Sequence, residues 1–297
     1  MKKPGYSLIF LSSAEISLPL LEVLVKDEQC EVLAVICQPD KPAGRGGKLR
    51  APAPKLKAEE LGLRVLQPEN LNRDKEVLAE LERMAPDFLL TFAYGQILSE
   101  RVLGLAEKEA LNVHASLLPA YRGASPIQAA ILNGDGETGI SLMRMVKEMD
   151  AGPVWSQMRI GLDECVTASG LHDLLAEGAA TFVPGELAQI FANEGEFVKQ
   201  DEEGETGVSY CSKIGRDDGF VDFTQSAEEI LRVHRAYSPW PGLWTTWRGK
   251  RLKILDLDVD GDGKIQLKKV QLEGKQAMEI DEFILGQPEF CLEELPS

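Results

Sequence analysis

Asp74-Lys-Glu-Val-Leu-Ala-Glu-Leu-Glu-Arg-Met-Ala-Pro-Asp-Phe-Leu-Leu-Thr-Phe92 reads as a helix followed directly by a strand. Over Asp74–Met84 the apolar residues recur at helical spacing, whereas Phe88–Phe92 is a short unbroken apolar run, the pattern of a strand buried on both faces. The same alternation extends in both directions. Upstream lie strand-like Ser7–Leu11 and Val32–Cys37, separated and followed by helix-like Ser17–Val25 and Lys55–Leu61. Downstream come strand-like Leu111–Ala115, Gly139–Met145 and Val154–Ile160, then a long helical stretch from about Ala168 to Phe191 with a break or kink expected at Pro184-Gly185. Strands alternating with helices predict right-handed crossovers and an α/β fold: a Rossmann-like, mostly parallel sheet.

Near residue 195 the composition changes. Asn193–Glu196 and Gln200–Gly207 are rich in acids and glycine, the composition of an exposed connection. Beyond them an amphipathic helix, Ser226–Arg235, opens with a Ser-x-x-Glu capping box. The short alternating stretches Leu243–Trp247, Arg251–Leu257 and Ile265–Val270 then suggest a small β-barrel or sandwich domain, of which a β-barrel (OB-like) is the expectation. The expected division is 1–194, a linker over 195–206, and 207–297. A length of 297 residues suits two domains at ~150 residues each.

The charge balance of 32 Lys+Arg against 48 Asp+Glu, net −16, argues against a generic nucleic-acid coat or a polybasic membrane binder, while leaving room for a local basic patch. No apolar run approaches the ~20 residues of a membrane span, and the run after Lys2-Lys3 reads as a first strand rather than a signal peptide. Five scattered cysteines without a Cys-x-x-Cys read as reduced thiols, so the chain is expected to be cytoplasmic and without a disulfide framework.

Chemistry concentrates in Leu111-Asn-Val-His-Ala-Ser-Leu-Leu-Pro119. Side chains alternate along a strand, so Asn112, His114 and Ser116 are expected on one side and Val113 on the other. In open α/β sheets ligands bind beyond the carboxyl ends of strands, and buried amide and imidazole groups need partners. A satisfied strand-end histidine is the plainer alternative. Asp150, on the glycine-ended Met149-Asp-Ala-Gly152 loop, alone reads as a solvated acid. Together an amide, an imidazole and a carboxylate suit proton handling around a tetrahedral intermediate. No Gly-x-Ser-x-Gly elbow indicates a covalent acyl-enzyme, and no metal site is expected, because no second histidine or cysteine stands at ligand spacing. His172 and His234 read as surface or packing residues.

These residues resemble the folate-dependent formyltransferases. The likeness is carried by Asn112-Val-His-Ala-Ser-Leu-Leu-Pro119, Tyr121-Arg-Gly-Ala-Ser-Pro-Ile-Gln128, Gln38-Pro-Asp-Lys-Pro-Ala-Gly-Arg-Gly46, Ala93-Tyr-Gly-Gln-Ile-Leu98, Thr138-Gly-Ile-Ser141, Asp150-Ala-Gly152 and Pro239-Trp-Pro-Gly242, spread over nearly the whole chain. Within the family, the Gln38–Gly46 loop is similar to that of the branch acting on charged tRNA. The resemblance implies transfer of a formyl group from 10-formyltetrahydrofolate, as co-substrate and without a metal, to the amino group of methionine on initiator tRNA. It places the family's catalytic asparagine, histidine and aspartate on Asn112, His114 and Asp150. It assigns Ser116, Leu117, Leu118 and Pro119 to the tetrahydrofolate site, and Ala93, Tyr94, Gly95 and Ile97 to the pterin pocket through their backbone. Arg45, with Lys48 beside it, is implied as the acceptor-stem contact. No membrane and no obligate protein partner is implied.

Between Lys41 and Lys57 stand six basic residues (Lys41, Arg45, Lys48, Arg50, Lys55, Lys57) and no acid, on a chain of net charge −16. Such a loop suits phosphate contact and steering toward an otherwise repulsive body, and also reads as solvated surface. Asp256-Leu-Asp-Val-Asp-Gly261 imitates a calcium loop but lacks the glutamate at the twelfth position, so Asp260-Gly-Asp-Gly263 is expected to form a hairpin turn. Two rival readings remain at this point. One is a formyltransferase acting on a nucleotide-linked amino sugar, which would have little use for the basic loop. The other is a catalytically silent RNA-binding protein, against which the complete polar trio argues.

Overall fold

The structure, a computed structural model, describes residues 5–43, 48–200, 207–292 and 295. In chain order its elements are β1 (Tyr6–Leu11), α1 (Leu18–Lys26), β2 (Cys30–Ile36), β3 (Lys41–Ala43), β4 (Lys48–Arg50), α2 (Ala53–Glu60), β5 (Val65–Leu66), α3 (Lys75–Met84), β6 (Phe88–Thr91), α4 (Glu100–Leu103), β7 (Glu109–His114), β8 (Arg122–Gly123), α5 (Pro126–Asn133), β9 (Glu137–Arg144), β10 (Val154–Gly161), α6 (Ala168–Ala192), β11 (Tyr210–Cys211), α7 (Ala227–Tyr237), β12 (Leu243–Trp247), β13 (Lys250–Val259), β14 (Ile265–Leu272), β15 (Met278–Glu279) and α8 (Ile280–Gly286). They divide into two compact units. The first takes Met1–Gly123, Glu137–Gly161 and His172–Tyr210; the second takes Ala124–Gly136, Leu162–Leu171 and Cys211–Ser297.

The first unit is built on a seven-stranded sheet in the order β10-β9-β7-β6-β1-β2-β5. The five strands from β7 to β5 run parallel, and β9 and β10 complete the sheet antiparallel. The physical basis is visible in β6 and in β1, where Phe88, Leu89, Leu90 and Leu8–Leu11 are buried on both faces, as helices above and below a parallel sheet require. Helix α3 is set by its ends. The Asp74 carboxylate accepts from the Val77 amide at 3.1 Å, and the chain leaves through Ala85 in the left-handed region (φ 44°) immediately before Pro86. Leu78 and Leu81 on its inner face join Ile9, Leu11, Ile36, Leu71, Leu89 and Tyr94 in one apolar cluster. Cutting either leucine to alanine there should cost ~2–5 kcal/mol. β1 is central: β2 and β5 lie to one side of it, β6 and β7 to the other. The strand order therefore reverses between β1 and β6, which opens a crevice at their carboxyl ends.

The second unit carries the antiparallel sheet expected from its alternating stretches. Its four strands pair in chain order, β12-β13-β14-β15. All three pairings are antiparallel, and Phe220 adds a parallel bridge to Trp244 of β12. Residues Asp260–Lys264 turn between β13 and β14, with the Asp260 carboxylate accepting from the amides of Asp262 (2.9 Å) and Lys264 (3.0 Å) and Gly263 at φ 79°. Of the acids in the calcium-like stretch, Asp260 is thus spent on the hairpin turn, while Asp256 and Asp258 lie on β13. α7 has the full capping box, Ser226 and Glu229 each bonding the other's backbone amide. Leu243, Trp247, Leu252, Ile254, Val270 and Phe283 form this unit's core.

Pro184 does not end α6, which runs unbroken from Ala168 to Ala192. No helix of the described residues is long and apolar enough to cross a membrane.

Candidate active site

Two groups of residues arrive at the carboxyl end of the parallel sheet. β6 runs out into Phe92–Leu98, and β7 into Ala115–Pro119. In the first group Ala93 (φ 53°) and Gly95 (φ 80°) both turn left-handed and are exposed, while the Tyr94 side chain points into the apolar core. Burial holds the Tyr94 phenol well above its ordinary range. The Gln38 carboxamide donates to the Tyr94 carbonyl at 2.8 Å, and the Ser13 amide donates to the Ala93 carbonyl at 3.2 Å, tying this turn to the ends of β1 and β2. Ile97 stands out into solvent. What the segment offers a ligand is backbone and one apolar side chain, which suits a flat, hydrogen-bonding heterocycle.

The second group is held from beneath by β9 and β10. The Ser141 hydroxyl donates to the Ser116 carbonyl at 2.7 Å and accepts from the Leu118 amide at 3.0 Å; Gln157 donates to the Leu118 carbonyl at 2.8 Å. At Gly139 an added Cβ would lie 2.0 Å from the Met158 carbonyl oxygen and 2.7 Å from Leu117, so the Thr138-Gly-Ile-Ser141 motif packs tightly under this loop. The Leu118–Pro119 bond is cis. The Ser116 hydroxyl turns to the Ala120 carbonyl at 2.6 Å. β7 ends at His114, and alternation ends with it, so Ser116 does not join Asn112 and His114.

Those two do converge, and they converge on Asp150. Asn112 Nδ2 lies 3.4 Å from Asp150 Oδ1, and His114 Nδ1 lies 3.7 Å from Asp150 Oδ2. His114 is buried and Asp150 nearly so, their side chains being 6% and 15% exposed. The tautomer follows from the other ring nitrogen. His114 Nε2 is 2.9 Å from the Tyr121 carbonyl, which can only accept, so Nε2 carries a hydrogen. Nδ1, facing Asp150, is then the nitrogen free to gain or lose a proton. The Gly123 amide donates to Asp150 Oδ2 at 2.9 Å, a backbone contact with no signal in the sequence. Asp150 is itself left-handed (φ 52°), and at Gly152 a Cβ would fall 1.9 Å from the Arg144 carbonyl oxygen. A carboxylate on so constrained a turn is not a solvated loop acid.

Gln200 and Arg122, both buried and both bonded into this region, were not evident from the sequence. Gln200 sits among acids and glycines whose composition reads as exposed, and no local pattern marks one glutamine among them as buried. His172 is half-exposed and pairs with its neighbour Asp173 at 2.9 Å. Among the described residues no group of three or more His, Cys, Asp or Glu side chains could hold a metal ion.

The basic stretch is divided by the structure. β3 and β4 form a hairpin in which Lys41 opposes Arg50 and Ala43 opposes Lys48. Arg45 lies outside the described residues. Lys55 pairs with Asp40 at 2.9 Å, Lys57 with Glu22 and Glu60 at 2.9 and 3.0 Å, and Arg50 with Glu15 at 3.3 Å. Among the described residues Arg50, Lys55 and Lys57 are thus already matched by acids.

A mostly parallel sheet with an amide, an imidazole and a carboxylate gathered at one strand's carboxyl end makes this a protein of the α/β class whose crevice holds groups able to handle protons around a tetrahedral centre. Comparison with known proteins narrows this class. The chain belongs to the formyl transferase family: the formyl transferase model matches residues 8–185, and the formyl transferase C-terminal domain model matches residues 213–262. It is 36% identical to a methionyl-tRNA formyltransferase of Magnetococcus marinus, over 95% of this chain and 96% of that one. It is 39% identical to one of Cereibacter sphaeroides with the same coverage. Among solved structures, it shares a fold with the methionyl-tRNA formyltransferase from Clostridium thermocellum (TM-score 0.60, 15% identity, 90% of this chain and 98% of that one). It also shares a fold with an N-formyltransferase of Helicobacter canadensis in complex with folinic acid and dTDP-3-aminofucose (TM-score 0.63, 19% identity, 92% and 98%).

Proposed function

We propose that this chain transfers the formyl group of 10-formyltetrahydrofolate to the α-amino group of methionine on charged initiator tRNA, in the cytoplasm, for translation initiation. The observation that carries the reading is the convergence of Asn112 and His114 on Asp150 at the crevice of the parallel sheet. The methionyl-tRNA formyltransferases to which the chain is 36% and 39% identical along nearly their whole length supply the substrate class.

The donor supplies a formyl carbon activated by its bond to N10. The amine nitrogen forms a bond to that carbon as the bond to N10 breaks; the amine gives up one proton and N10 takes one. Asn112 Nδ2 and a protonated His114 Nδ1 donate to the oxygen on which negative charge collects. Asp150, between them, takes the proton released by the attacking amine and returns one toward N10, directly or through a water. Tyr121, accepting from Nε2, keeps the histidine's reacting nitrogen turned toward the site.

In this reading Ala93, Tyr94, Gly95 and Ile97 hold the pterin, mainly through backbone groups, and Ser116, Leu117, Leu118 and Pro119 close the tetrahydrofolate site. Arg45 and Lys48 meet phosphates of the acceptor stem. Residues 1–194 act as the catalytic domain, joined through 195–206 to a second domain at 207–297. Replacing Asn112 or His114 by alanine tests the chemistry: each change removes a donor to the transition state and should lower kcat by ~10²-fold or more. The KM for folate should stay within a few-fold. Near wild-type turnover in both variants would overturn the assignment.

A further inference from the structure

Gln200 is 7% exposed, although it opens a stretch of acids and glycines. Its Nε2 donates to the carbonyl of Asp150 at 2.9 Å and to that of Gly152 at 2.7 Å, while its Oε1 accepts from Arg122 Nε at 2.9 Å. Both of the amide's donors and its acceptor are therefore engaged, and exchanging its oxygen and nitrogen would set an oxygen against two carbonyl oxygens. Arg122 is 4% exposed, and its backbone amide donates to the Ser209 carbonyl at 2.8 Å. Its chain neighbours supply the site: Tyr121 accepts from His114, and the Gly123 amide donates to the Asp150 carboxylate. The bonds form a closed ring from the Asp150 carboxylate through Gly123, Arg122 and Gln200 back to the Asp150 backbone.

We infer that Gln200 is a positioning residue for Asp150, fixing the 150–152 turn so that the carboxylate faces Asn112 and His114. The inference rests on the proposed role of Asp150. Asp150 holds a left-handed backbone (φ 52°) that residues bearing a Cβ rarely adopt, and such a conformation persists where its surroundings over-determine it. At Asp150 the surroundings are specific. One amide grips the Asp150 and Gly152 carbonyls, and the Arg144 backbone closes against Gly152. Without the amide the turn can relax toward ordinary dihedrals and carry the carboxylate away from two partners that already sit 3.4 and 3.7 Å off. A displacement near 1 Å costs up to ~10²-fold in rate.

The test uses Gln200→Ala, Gln200→Glu and Asp150→Asn in the full-length enzyme, together with the double variant Gln200→Ala/Asp150→Asn. Glutamate keeps the size of glutamine and its acceptor for Arg122, but as a carboxylate it has no N–H for the two carbonyls. Both Gln200 variants should lose about ten- to a hundredfold in kcat, with the KM for folate within about twofold of wild type. Because Gln200 acts through Asp150, adding Gln200→Ala to Asp150→Asn should change kcat little. Wild-type kcat in Gln200→Glu, or effects that multiply in the double variant, would overturn the positioning role and leave the chemistry of Asp150 standing. A fully active Asp150→Asn would overturn the catalytic reading itself and the inference with it.

Discussion

Gly152→Ala should disable the enzyme without touching a single polar group of the site. The new methyl would lie 1.9 Å from the Arg144 carbonyl oxygen and 3.3 Å from the Met143 methyl. Non-bonded atoms are comfortable at ~3.5–4 Å, so relief requires about 1 Å or more of movement by one backbone or the other. Neither movement is harmless. If the loop gives way, it takes with it Asp150, two residues upstream. If the end of β9 gives way, it pulls on β7, since Arg144 pairs with Leu111 and Met143 with Asn112. Either way the separations of 3.4 Å and 3.7 Å that join Asp150 to Asn112 and His114 change by a large fraction. We expect a drop of ~1–3 kcal/mol in stability, as for overpacking elsewhere, read as a lower urea midpoint. We expect kcat to fall by ~10²-fold. Urea unfolding and steady-state transfer, measured on the same preparation, separate the two effects. Wild-type kcat with an unchanged midpoint would refute the claim that this turn sets the geometry of the site.

The basic hairpin, one acid and the cysteines give three more tests. Arg45→Ala and Lys48→Ala should each weaken kcat/KM for charged tRNA and make its salt dependence shallower, by about one in slope for every phosphate the side chain had neutralised, leaving folate KM unchanged; identical slopes in wild type and variants would make the loop mere surface. Hydrogen bonds from Gln67 and Lys55 hold the Asp40 carboxyl below the usual carboxylate range, so its contribution to stability is present above ~pH 4, the unfolded value, and is lost as pH falls through the folded pKa. Asp40→Asn should accordingly lower Tm near neutral pH, with the gap closing as the pH falls through the folded pKa; a gap independent of pH would contradict this. Burial pushes the Cys30 and Cys37 thiols up to about 12, whereas Cys165 and Cys291 are exposed. A disulfide reagent should therefore modify the latter pair quickly in the native protein and the former only on unfolding, and fast reaction of Cys37 would show that the chain at the end of β2 opens in the native protein.

What was legible in the sequence, and what was not, divides on physical lines. β1 and β6 announce themselves because strands buried on both faces are apolar, β2 through its Val32–Ile36 run, and α3 and α7 because their caps are local. β5 is two residues long, too short for any period, and β3 and β4 lie in a stretch whose glycines and lysines mimic a loop. α5 hides inside a motif that reads as chemistry, though Pro126 in its first turn suits a helix start. Pro184 invited a break that a long helix absorbed. Within the site, Asn112 and His114 stand out because an amide and an imidazole are unusual at a buried strand end, whereas Asp150, which alone reads as a solvated acid, is picked out by the family resemblance. The Tyr121 carbonyl, the Gly123 amide and the Gln200 carboxamide could not be singled out, because backbone groups carry no residue identity and the burial of one glutamine depends on the folded chain around it. In the second unit, alternation marks the antiparallel strands β12, β13 and β14, whereas β15 is two residues long and shows no period.

The most direct measurement is formyl transfer itself. Formyl-labelled 10-formyltetrahydrofolate is incubated with the enzyme and charged initiator methionyl-tRNA and, in parallel, with a nucleotide-linked amino sugar. The label should appear on the methionine of the tRNA, with the amino sugar at background, and transfer should fall by ~10²-fold or more in His114→Ala. Label passing to the amino sugar in preference to the tRNA, or passing to the tRNA undiminished in His114→Ala, would contradict the account.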